Sequence, residues 1–406
     1  MSFLLANTMG KILYTVFTGT FILFTSLYSF GQDKRAQYPP VLINSWFSVN
    51  IGYIKYSFSK KQLEPGYTAE SVHIPHTAVR ILFGHRFSKY LSAEISYMRP
   101  VGFVEYRNVN GSQTDYEVGM NVAGLTIRPT LPISKKLSVN TEAGIGIITR
   151  GGFIVINAPG VKDAVFASVL LGGGLEYQLN AKWNLSVNTV WSPANGKVKQ
   201  PATIFYAAGF NYTMRPLSKE KVDRTSNSEF VFPKQLFRVD YTTNALGYGV
   251  NDFVSKDAHI FWGGAVRVKR GFSFSYQRNI FHTRKVFSLD WGAGLSYWQS
   301  KKNKEEFFTL SVYPVFRFIF LRSKPVDLYF NYSFGGPGFI SQTIIDEKDT
   351  GKKFTFQDFM GIGIFAGKKR KLNAEIRIVH YSNGNIFPQN NGVMIPLTFG
   401  FGYSFF

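Results

Sequence analysis

Apolar residues alternate with small or polar residues along the end of the chain, just before Phe405. One face of this segment is apolar throughout and consists of Val393, Ile395, Leu397, Phe399, Phe401 and Tyr403. The opposite face carries Thr398, Gly400, Gly402 and Ser404. A two-residue period is that of a β-strand, whose successive side chains point to opposite faces. A wholly apolar face beside an aromatic C-terminus is typical of a lipid-facing strand in a transmembrane β-barrel.

The same alternation recurs between turn residues along most of the chain, and it predicts an all-β protein. The strands predicted before residue 215 are 44–58, 76–86, 89–106, 115–129, 135–149, 164–178, 182–192 and 202–214. The strands predicted after residue 234 are 236–250, 257–268, 271–280, 285–299, 306–321, 325–335, 354–367, 371–382 and 393–405. The polar segment 215–234 separates the two sets and predicts a linker.

This division predicts two consecutive transmembrane antiparallel β-barrels. About eight strands suffice to close a small barrel. We therefore predict an N-terminal outer-membrane barrel of unknown role in residues 32–214 and a second barrel in residues 235–406. One barrel of about sixteen strands is the alternative, because the number of strands alone does not separate the two arrangements.

The N-terminal region has the features of an export signal. Residues 12–27, which follow Lys11, are nearly uncharged and rich in Phe, Leu, Ile, Thr and Val, and the small residues Ser29 and Gly31 come just before Gln32. This pattern predicts a signal peptide in residues 1–31 and cleavage before Gln32. An uncleaved helical anchor is the alternative. Since no further run of roughly 18 apolar residues follows, we expect strands to hold the exported protein in the bacterial outer membrane.

Composition narrows the chemistry and the partners. The chain has 40 Phe and 22 Tyr, which fits the aromatic girdles of a membrane barrel. It has no cysteine, which excludes disulfides, thiolate metal sites and cysteine catalysis. The formal net charge is +21. In an exported protein this charge favours an anionic membrane surface, such as phosphorylated lipopolysaccharide, over nucleic acid.

The segment His380-Tyr381-Ser382-Asn383 carries the candidate chemistry. His380 and Ser382 lie two residues apart on the predicted strand 371–382, so they share a face with Ile376 and Ile378. Because that face is apolar, it points to lipid, and the pair lies near one rim of the barrel. A serine hydroxyl needs an adjacent base to attack an ester. The pair therefore suggests a hydrolase, and the alternative is a polar rim that simply ends the strand.

Residues from about 257 to 406 resemble the lipid A deacylase family of outer-membrane enzymes. The resemblance rests on the His-x-Ser-Asn segment and on ordered matches around it, which are Tyr313-Pro314-Val315-Phe316-Arg317, Gly335-Gly336-Pro337 with Ser341, Phe354-Thr355-Phe356, Gly361-Ile362-Gly363, and Pro388, Asn390, Asn391 and Gly392. It implies an eight-stranded barrel in which Ser382 is the nucleophile, His380 is the general base and Asn383 helps to hold the oxyanion. It also implies that lipid A or another acylated membrane lipid is the substrate and that no cofactor is needed.

The orienting acid departs from the family pattern. Some members have a glutamate at the start of the last strand, where this chain has Met394, and methionine cannot orient an imidazole. We predict that Asp358 takes this role, because a tight turn at 368–370 would place it opposite residue 380 or 381. The alternative is a rim aspartate that binds Lys, Arg or backbone groups. Glu375 is a poorer choice, because its parity places it in the lumen.

The sequence thus predicts an outer-membrane serine esterase that hydrolyses an acyl ester of lipid A or a related lipid. The alternative is a non-enzymatic barrel, such as a pore, an adhesin or a surface-binding protein, with a degenerate active site. The substitution of the family glutamate by Met394 keeps this alternative open. The sequence leaves open the acyl chain that is cleaved, the role of the first barrel and the oligomeric state.

Overall fold

The computed structural model describes residues 35–258, 260–387 and 389–405. The predicted signal peptide, residues 1–31, therefore lies outside the described residues. Within the described ranges, no helix is long and apolar enough to span a membrane.

The first barrel is a closed meander of antiparallel strands. These strands are β1 (Ser45–Tyr56), β2 (Thr77–Arg86), β3 (Leu91–Pro100), β4 (Tyr116–Pro132), β5 (Leu137–Gly151), β6 (Ala164–Gln178), β7 (Trp183–Ser192) and β8 (Thr203–Thr213). Pairing of β1 with β8, from Trp46 opposite Thr213 to Tyr56 opposite Thr203, closes the sheet. This barrel is therefore complete before the segment 215–234 begins.

The second barrel repeats this arrangement. Its strands are β9 (Gln235–Thr243), β10 (Val266–His282), β11 (Phe287–Ser300), β12 (Glu306–Arg322), β13 (Val326–Ile340), β14 (Phe354–Ala366), β15 (Leu372–Ser382) and β16 (Val393–Phe405). Antiparallel pairing of β9 with β16 closes it. The prediction of two eight-stranded transmembrane barrels is confirmed, and the single larger barrel is wrong.

Short elements lie in the connections. The extra strands are Ser71–His73, Val104–Arg107, Phe153–Val155, Ala158–Val161, Ile344–Ile345 and Lys348–Asp349. The 3-10 helices are Pro40–Leu42, Lys60–Gln62, Val109–Gly111 and Gly196–Val198. The helix α1 (Lys219–Ser226) belongs to the segment that connects the two barrels in sequence. The helix α2 (Gly249–Asp252) continues into a π-helical turn at Phe253–Asp257.

The two ends of the second barrel differ in loop length. Residues 244–265, 341–353 and 383–392 form long connections at one end, whereas the opposite end has the tight turns 283–286 and 323–325. In outer-membrane barrels the long loops are extracellular and the short turns are periplasmic. The end that carries the 383–392 loop therefore faces the outer leaflet.

One predicted strand is wrong. Alternation suggested a strand at 257–268, yet β10 begins only at Val266 and absorbs the predicted strand 271–280. The residues before Val266 form a connection in which Phe261 is 7% exposed and Ile260 is 54% exposed. Here the alternation arises because the connection has one side against the barrel wall and another side free, which produces the same pattern as a strand.

A β-bulge corrects the predicted face of the last strand. Arg377 pairs with Thr398, but Val379 pairs with Ile395, so the register shifts between these two pairs. Beyond the shift, Ile395 joins the buried inner cluster that contains Val379, at 0% exposure. The apolar outer face predicted for β16 therefore stops short of Ile395 and Val393. Bulges change the direction of side chains beyond them, and this bulge places Met394 opposite His380.

Ion pairs occupy the interior of the second barrel. Arg238 lies 2.6 Å from Asp240 and 2.5 Å from Glu375, and Arg377 lies 2.8 Å from Asp240. All four side chains are buried. The lumen of an eight-stranded barrel is just wide enough for side chains to fill. The first barrel has a similar network, with Arg80 on Glu142 at 2.5 Å and Arg128 on Glu176 at 2.7 Å.

Arg238→Met is expected to destabilise the second barrel, because it leaves the Glu375 and Asp240 carboxylates short of a buried partner. Removal of one member of a buried ion pair typically costs about 3–5 kcal/mol. Urea unfolding of the folded protein in lipid vesicles measures this change. The double variant Arg238→Met/Glu375→Gln is the control and is expected to recover part of the loss. A free energy of unfolding for Arg238→Met that matches the wild type would contradict this role.

Candidate active site

His380 lies near the outer-leaflet end of β15. It shares the outward face of the strand with Ile376, which is 47% exposed, and with Ile378. His380 itself is only 2% exposed. The His380 side chain therefore points outward, as predicted, and other parts of the chain cover it.

Asp358 and His380 form a pair across two neighbouring strands. Asp358 of β14 lies directly opposite His380, which is the pairing predicted from the turn at 368–370. The Asp358 Oδ2 atom lies 3.3 Å from His380 Nδ1. The other carboxylate oxygen, Oδ1, accepts a hydrogen bond of 2.7 Å from the Gly335 N–H. The carboxylate is thus held from two sides and oriented toward the imidazole.

Gly335 owes this contact to an irregularity in β13. The pairing of β13 with β14 shifts between Ser333 and Gly336, and Gly335 has a φ of 66°. A positive φ at a bulge is readily adopted by glycine, which has no Cβ to clash. The bulge turns the Gly335 N–H toward Asp358. The Gly335-Gly336-Pro337 segment stands out in the sequence, but its hydrogen bond to Asp358 is not predicted there.

Met394 and Gly392 lie on the other side of His380. Met394 of β16 pairs with His380 on one side of β15, whereas Asp358 of β14 pairs with it on the other side. A Cβ atom added at Gly392 would lie 2.6 Å from His380 Nε2. Glycine is therefore needed there for the imidazole to keep its place. With Nδ1 on the carboxylate, Nε2 is the nitrogen left for proton transfer.

Ser382 lies two residues beyond His380 at the end of β15 and is half-buried. Tyr381, between them, points inward, and its hydroxyl accepts a 2.9 Å hydrogen bond from Thr309 Oγ1. This anchor holds the strand at the point where His380 and Ser382 face outward. In the described part of the chain, no hydrogen bond joins Ser382 Oγ to His380. The structure thus brings Asp358 and His380 together but leaves the serine unpaired.

Asn383 fixes the loop that follows the serine. Its Nδ2 donates to Thr350 O at 3.2 Å and to Gln389 O at 3.0 Å, and its N–H donates to Asn390 Oδ1 at 2.8 Å. Its donors are therefore all engaged in loop structure. The next two residues, Gly384 and Asn385, have φ values of 63° and 57°. Successive N–H groups in such a turn form a concave anion-binding arrangement.

Two aromatic residues that the sequence analysis did not assign cover the imidazole. Trp262 stacks on His380 with ring centroids 6.2 Å apart and an interplanar angle of 16°. Phe261 approaches the same ring edge-on, at 6.3 Å and 77°. Both belong to the connection that was predicted as a strand, which is why they escaped notice. Glu375, by contrast, lies in the lumen as expected, on Arg238.

Within the described ranges, no group of three or more His, Asp or Glu side chains is arranged to hold a metal ion. Residues 270–402 match the family model of lipid A 3-O-deacylase (PagL). This deacylase-like region contains Asp358, His380, Ser382 and Asn383. Residues 43–219 match the model of the OmpA-like transmembrane domain.

Solved structures of outer-membrane barrels are also similar to this chain. The outer membrane enzyme PagL is 16% identical, with 42% of this chain and 99% of that chain covered and a TM-score of 0.32. The N-terminal β-barrel domain of Pseudomonas aeruginosa OprF is 15% identical, with 42% and 98% covered and a TM-score of 0.27. Neisserial surface protein A is 12% identical, with 42% and 97% covered and a TM-score of 0.28. Among curated proteins, none is significantly similar in sequence.

The matched regions fit the two barrels. One outer-membrane barrel family matches the first barrel, and the lipid A 3-O-deacylase family matches most of the second. The chain is therefore a pair of outer-membrane barrels of which the second is deacylase-like.

Proposed function

We propose that the second barrel is a serine esterase that hydrolyses an acyl ester of lipid A or a related lipid in the outer leaflet. The observation that carries this proposal is the Asp358–His380 pair, 3.3 Å apart on the outer face, two residues from Ser382. An acid that holds the imidazole by Nδ1 leaves Nε2 to act as a base. The deacylase-like match over residues 270–402 supports the same activity.

The proposed reaction proceeds in two steps. Ser382 Oγ attacks the ester carbonyl carbon while His380 Nε2 takes the hydroxyl proton. The bond from the carbonyl carbon to the lipid alcohol oxygen then breaks, and His380 returns the proton to that oxygen. Water attacks the acyl-serine with His380 again as base, which releases the fatty acid and restores Ser382. The serine side chain has to turn toward Nε2 when substrate binds, as catalytic hydrogen bonds often tighten only in the complex.

The loop after Ser382 would stabilise the oxyanion. Developing charge is stabilised best by donors already set in place. The N–H groups of Gly384 and Asn385 make no hydrogen bond within the described residues, so they are free to serve. Asn383 was proposed to help hold the oxyanion, and its hydrogen bonds to Thr350 O and Gln389 O suggest that it acts chiefly by shaping this loop.

Purified protein in vesicles that contain lipid A tests the proposal. We expect release of a free fatty acid and a lipid A product that is lighter by that acyl group, both followed by mass spectrometry. Vesicles of phospholipid with the same acyl chain identify the lipid class. If neither lipid yields fatty acid above the level of an empty vesicle, the esterase proposal fails. A non-enzymatic, surface-binding barrel would then be the better account, because ion pairs fill the lumens that a pore would need.

Gly392→Ala is expected to slow ester hydrolysis without unfolding the barrel. The added Cβ would lie 2.6 Å from His380 Nε2, so the imidazole would have to move from its place. A displacement of about 1 Å at a catalytic group can cost on the order of 10²-fold. The measurement is the turnover number on an ester substrate. Gly151→Ala is the matched control, since a Cβ there meets nothing within 4 Å, and equal rates for both variants would contradict the placement of His380.

A further inference from the structure

The connection between β9 and β10 lies across the outer wall of the second barrel and covers the candidate site. We call its residues 249–258 and 260–264 the flap; His259 is outside the described residues. The inner side of the flap carries Val254 and Phe261, 6% and 7% exposed, which pack with Ile378 of β15. Phe261 and Trp262 also contact the His380 ring. This cover explains why an outward-facing histidine is only 2% exposed.

Hydrogen bonds fix the flap to the barrel at two points. Asn251 Nδ2 donates to Ile395 O at 2.9 Å, and the Tyr332 hydroxyl donates to Ile260 O at 3.2 Å. Asn251 is 1% exposed, so its contact is buried. The Tyr332 contact is more exposed, on the side where the flap reaches over β13. The flap is thus a folded part of the wall.

The opposite side of the flap is apolar and uncovered. Its exposed apolar residues are Val250 (46%), Phe253 (58%) and Ile260 (54%), and Trp262, whose ring stacks on His380, is itself 42% exposed. Met360 and Ile378 pack with the flap, and two residues further along the same strands Ile362 and Ile376 are 60% and 47% exposed. The apolar side of the flap therefore continues the lipid-facing surface of the barrel at its outer-leaflet end. Exposed apolar surface of this kind marks an interaction site.

The flap has three charged residues among those described, of which two form an ion pair and Asp257 is exposed. Lys256 pairs with Asp252 at 3.0 Å, and Arg267, just after the flap, lies 3.6 Å from the same carboxylate. Lys256 remains 67% exposed in its side chain. A segment with an apolar side and a charged edge is the pattern of interfacial elements, which sink about 5–10 Å into the boundary between headgroups and acyl chains.

We propose that the flap is immersed in the outer leaflet, where acyl chains contact Phe253, Ile260 and Trp262, and that lipid must displace it from His380 for substrate to enter. The immersion stands on its own, whereas the entry step rests on the proposed esterase function. The flap precedes the residues that match the deacylase family model, which begin at 270.

Single cysteines test the immersion, because the chain has no cysteine of its own. Phe253→Cys and Ile260→Cys are labelled with an environment-sensitive fluorophore in vesicles. Phe401→Cys, at a wall residue that is 71% exposed, is the lipid control, and Lys302→Cys, on a charged loop, is the water control. We expect nitroxides on the acyl chains to quench both flap probes as they quench Phe401→Cys, and iodide to quench only Lys302→Cys. Flap probes that iodide quenches as it does Lys302→Cys would overturn the proposal whether or not the protein hydrolyses lipid.

Activity tests the entry step separately. The Phe253→Asp/Ile260→Asp variant is expected to hydrolyse lipid in vesicles roughly tenfold more slowly, because charges disfavour immersion. Its rate on a water-soluble short-chain ester should stay within about twofold of wild type, since neither side chain touches His380. An equal loss on both substrates would overturn the entry step. If the wild type hydrolyses neither substrate, the esterase function fails, and the quenching result still decides the immersion.

Discussion

Ser382→Ala is expected to reduce ester hydrolysis by the purified protein to the uncatalysed background. The variant removes the only side chain in the proposed mechanism that forms a covalent bond with the acyl carbon. Loss of the nucleophile in a serine–histidine–acid site lowers kcat by as much as about 10⁶-fold. Because Ser382 is half-buried and its hydroxyl makes no hydrogen bond within the described residues, the barrel should tolerate the change. Initial rates of fatty acid release measure the effect.

Two controls separate loss of chemistry from loss of fold. Ser323→Ala changes a serine in the tight turn between β12 and β13, at the opposite end of the barrel, and should keep the wild-type rate. Folding of every variant is checked by its resistance to denaturant in vesicles. If folded Ser382→Ala retains more than a tenth of the wild-type rate, Ser382 is not the nucleophile.

Asp358→Asn is expected to slow hydrolysis by about 10²–10⁴-fold while the barrel stays folded. An asparagine can still accept the Gly335 hydrogen bond through Oδ1. Its amide nitrogen, however, would donate a hydrogen bond to His380 Nδ1. Because Nδ1 must then be unprotonated, this favours the imidazole tautomer that carries its proton on Nε2. A histidine in that state cannot accept the serine proton, and the equivalent change in a serine protease costs about 10⁴-fold. Steady-state kinetics on the same ester measure the loss.

Met394 offers a sharper version of this experiment. Met394 pairs with His380 from the strand on the other side. We expect the double variant Asp358→Asn/Met394→Glu to hydrolyse the ester at least about tenfold faster than Asp358→Asn alone, because a carboxylate would again orient the imidazole. Asp115→Asn, in a loop of the first barrel, is the matched control. A rate for Asp358→Asn within threefold of wild type would show that Asp358 does not orient His380.

Much of the site follows from strand parity and from one turn. The turn at 368–370 fixes the pairing of β14 with β15, and that pairing alone places Asp358 opposite His380. The separation of Glu375 from the site follows from the same two-residue period, since odd and even positions on β15 face opposite sides. These relations are local, so the sequence was sufficient to predict them.

The contacts made by loops and bulges could not be predicted. Trp262 and Phe261 reach His380 from a connection far away in sequence, and nothing in their spacing distinguishes a flap from a strand. The register shift beside Val379 turns Ile395 inward and brings Met394 to the outer face, and a strict two-residue period cannot anticipate such a shift. The Gly335 hydrogen bond to Asp358 likewise depends on a bulge. The parts that were missed are thus the irregular ones.

The mass of lipid A from outer membranes tests the central claim most directly. Cells that make the wild-type protein, cells that make folded Ser382→Ala and cells without the protein are compared by mass spectrometry. We predict that only the wild type converts lipid A to a species lighter by one acyl group, with the matching fatty acid released. Identical lipid A in all three samples, together with no fatty acid release from purified lipid A, would contradict the account.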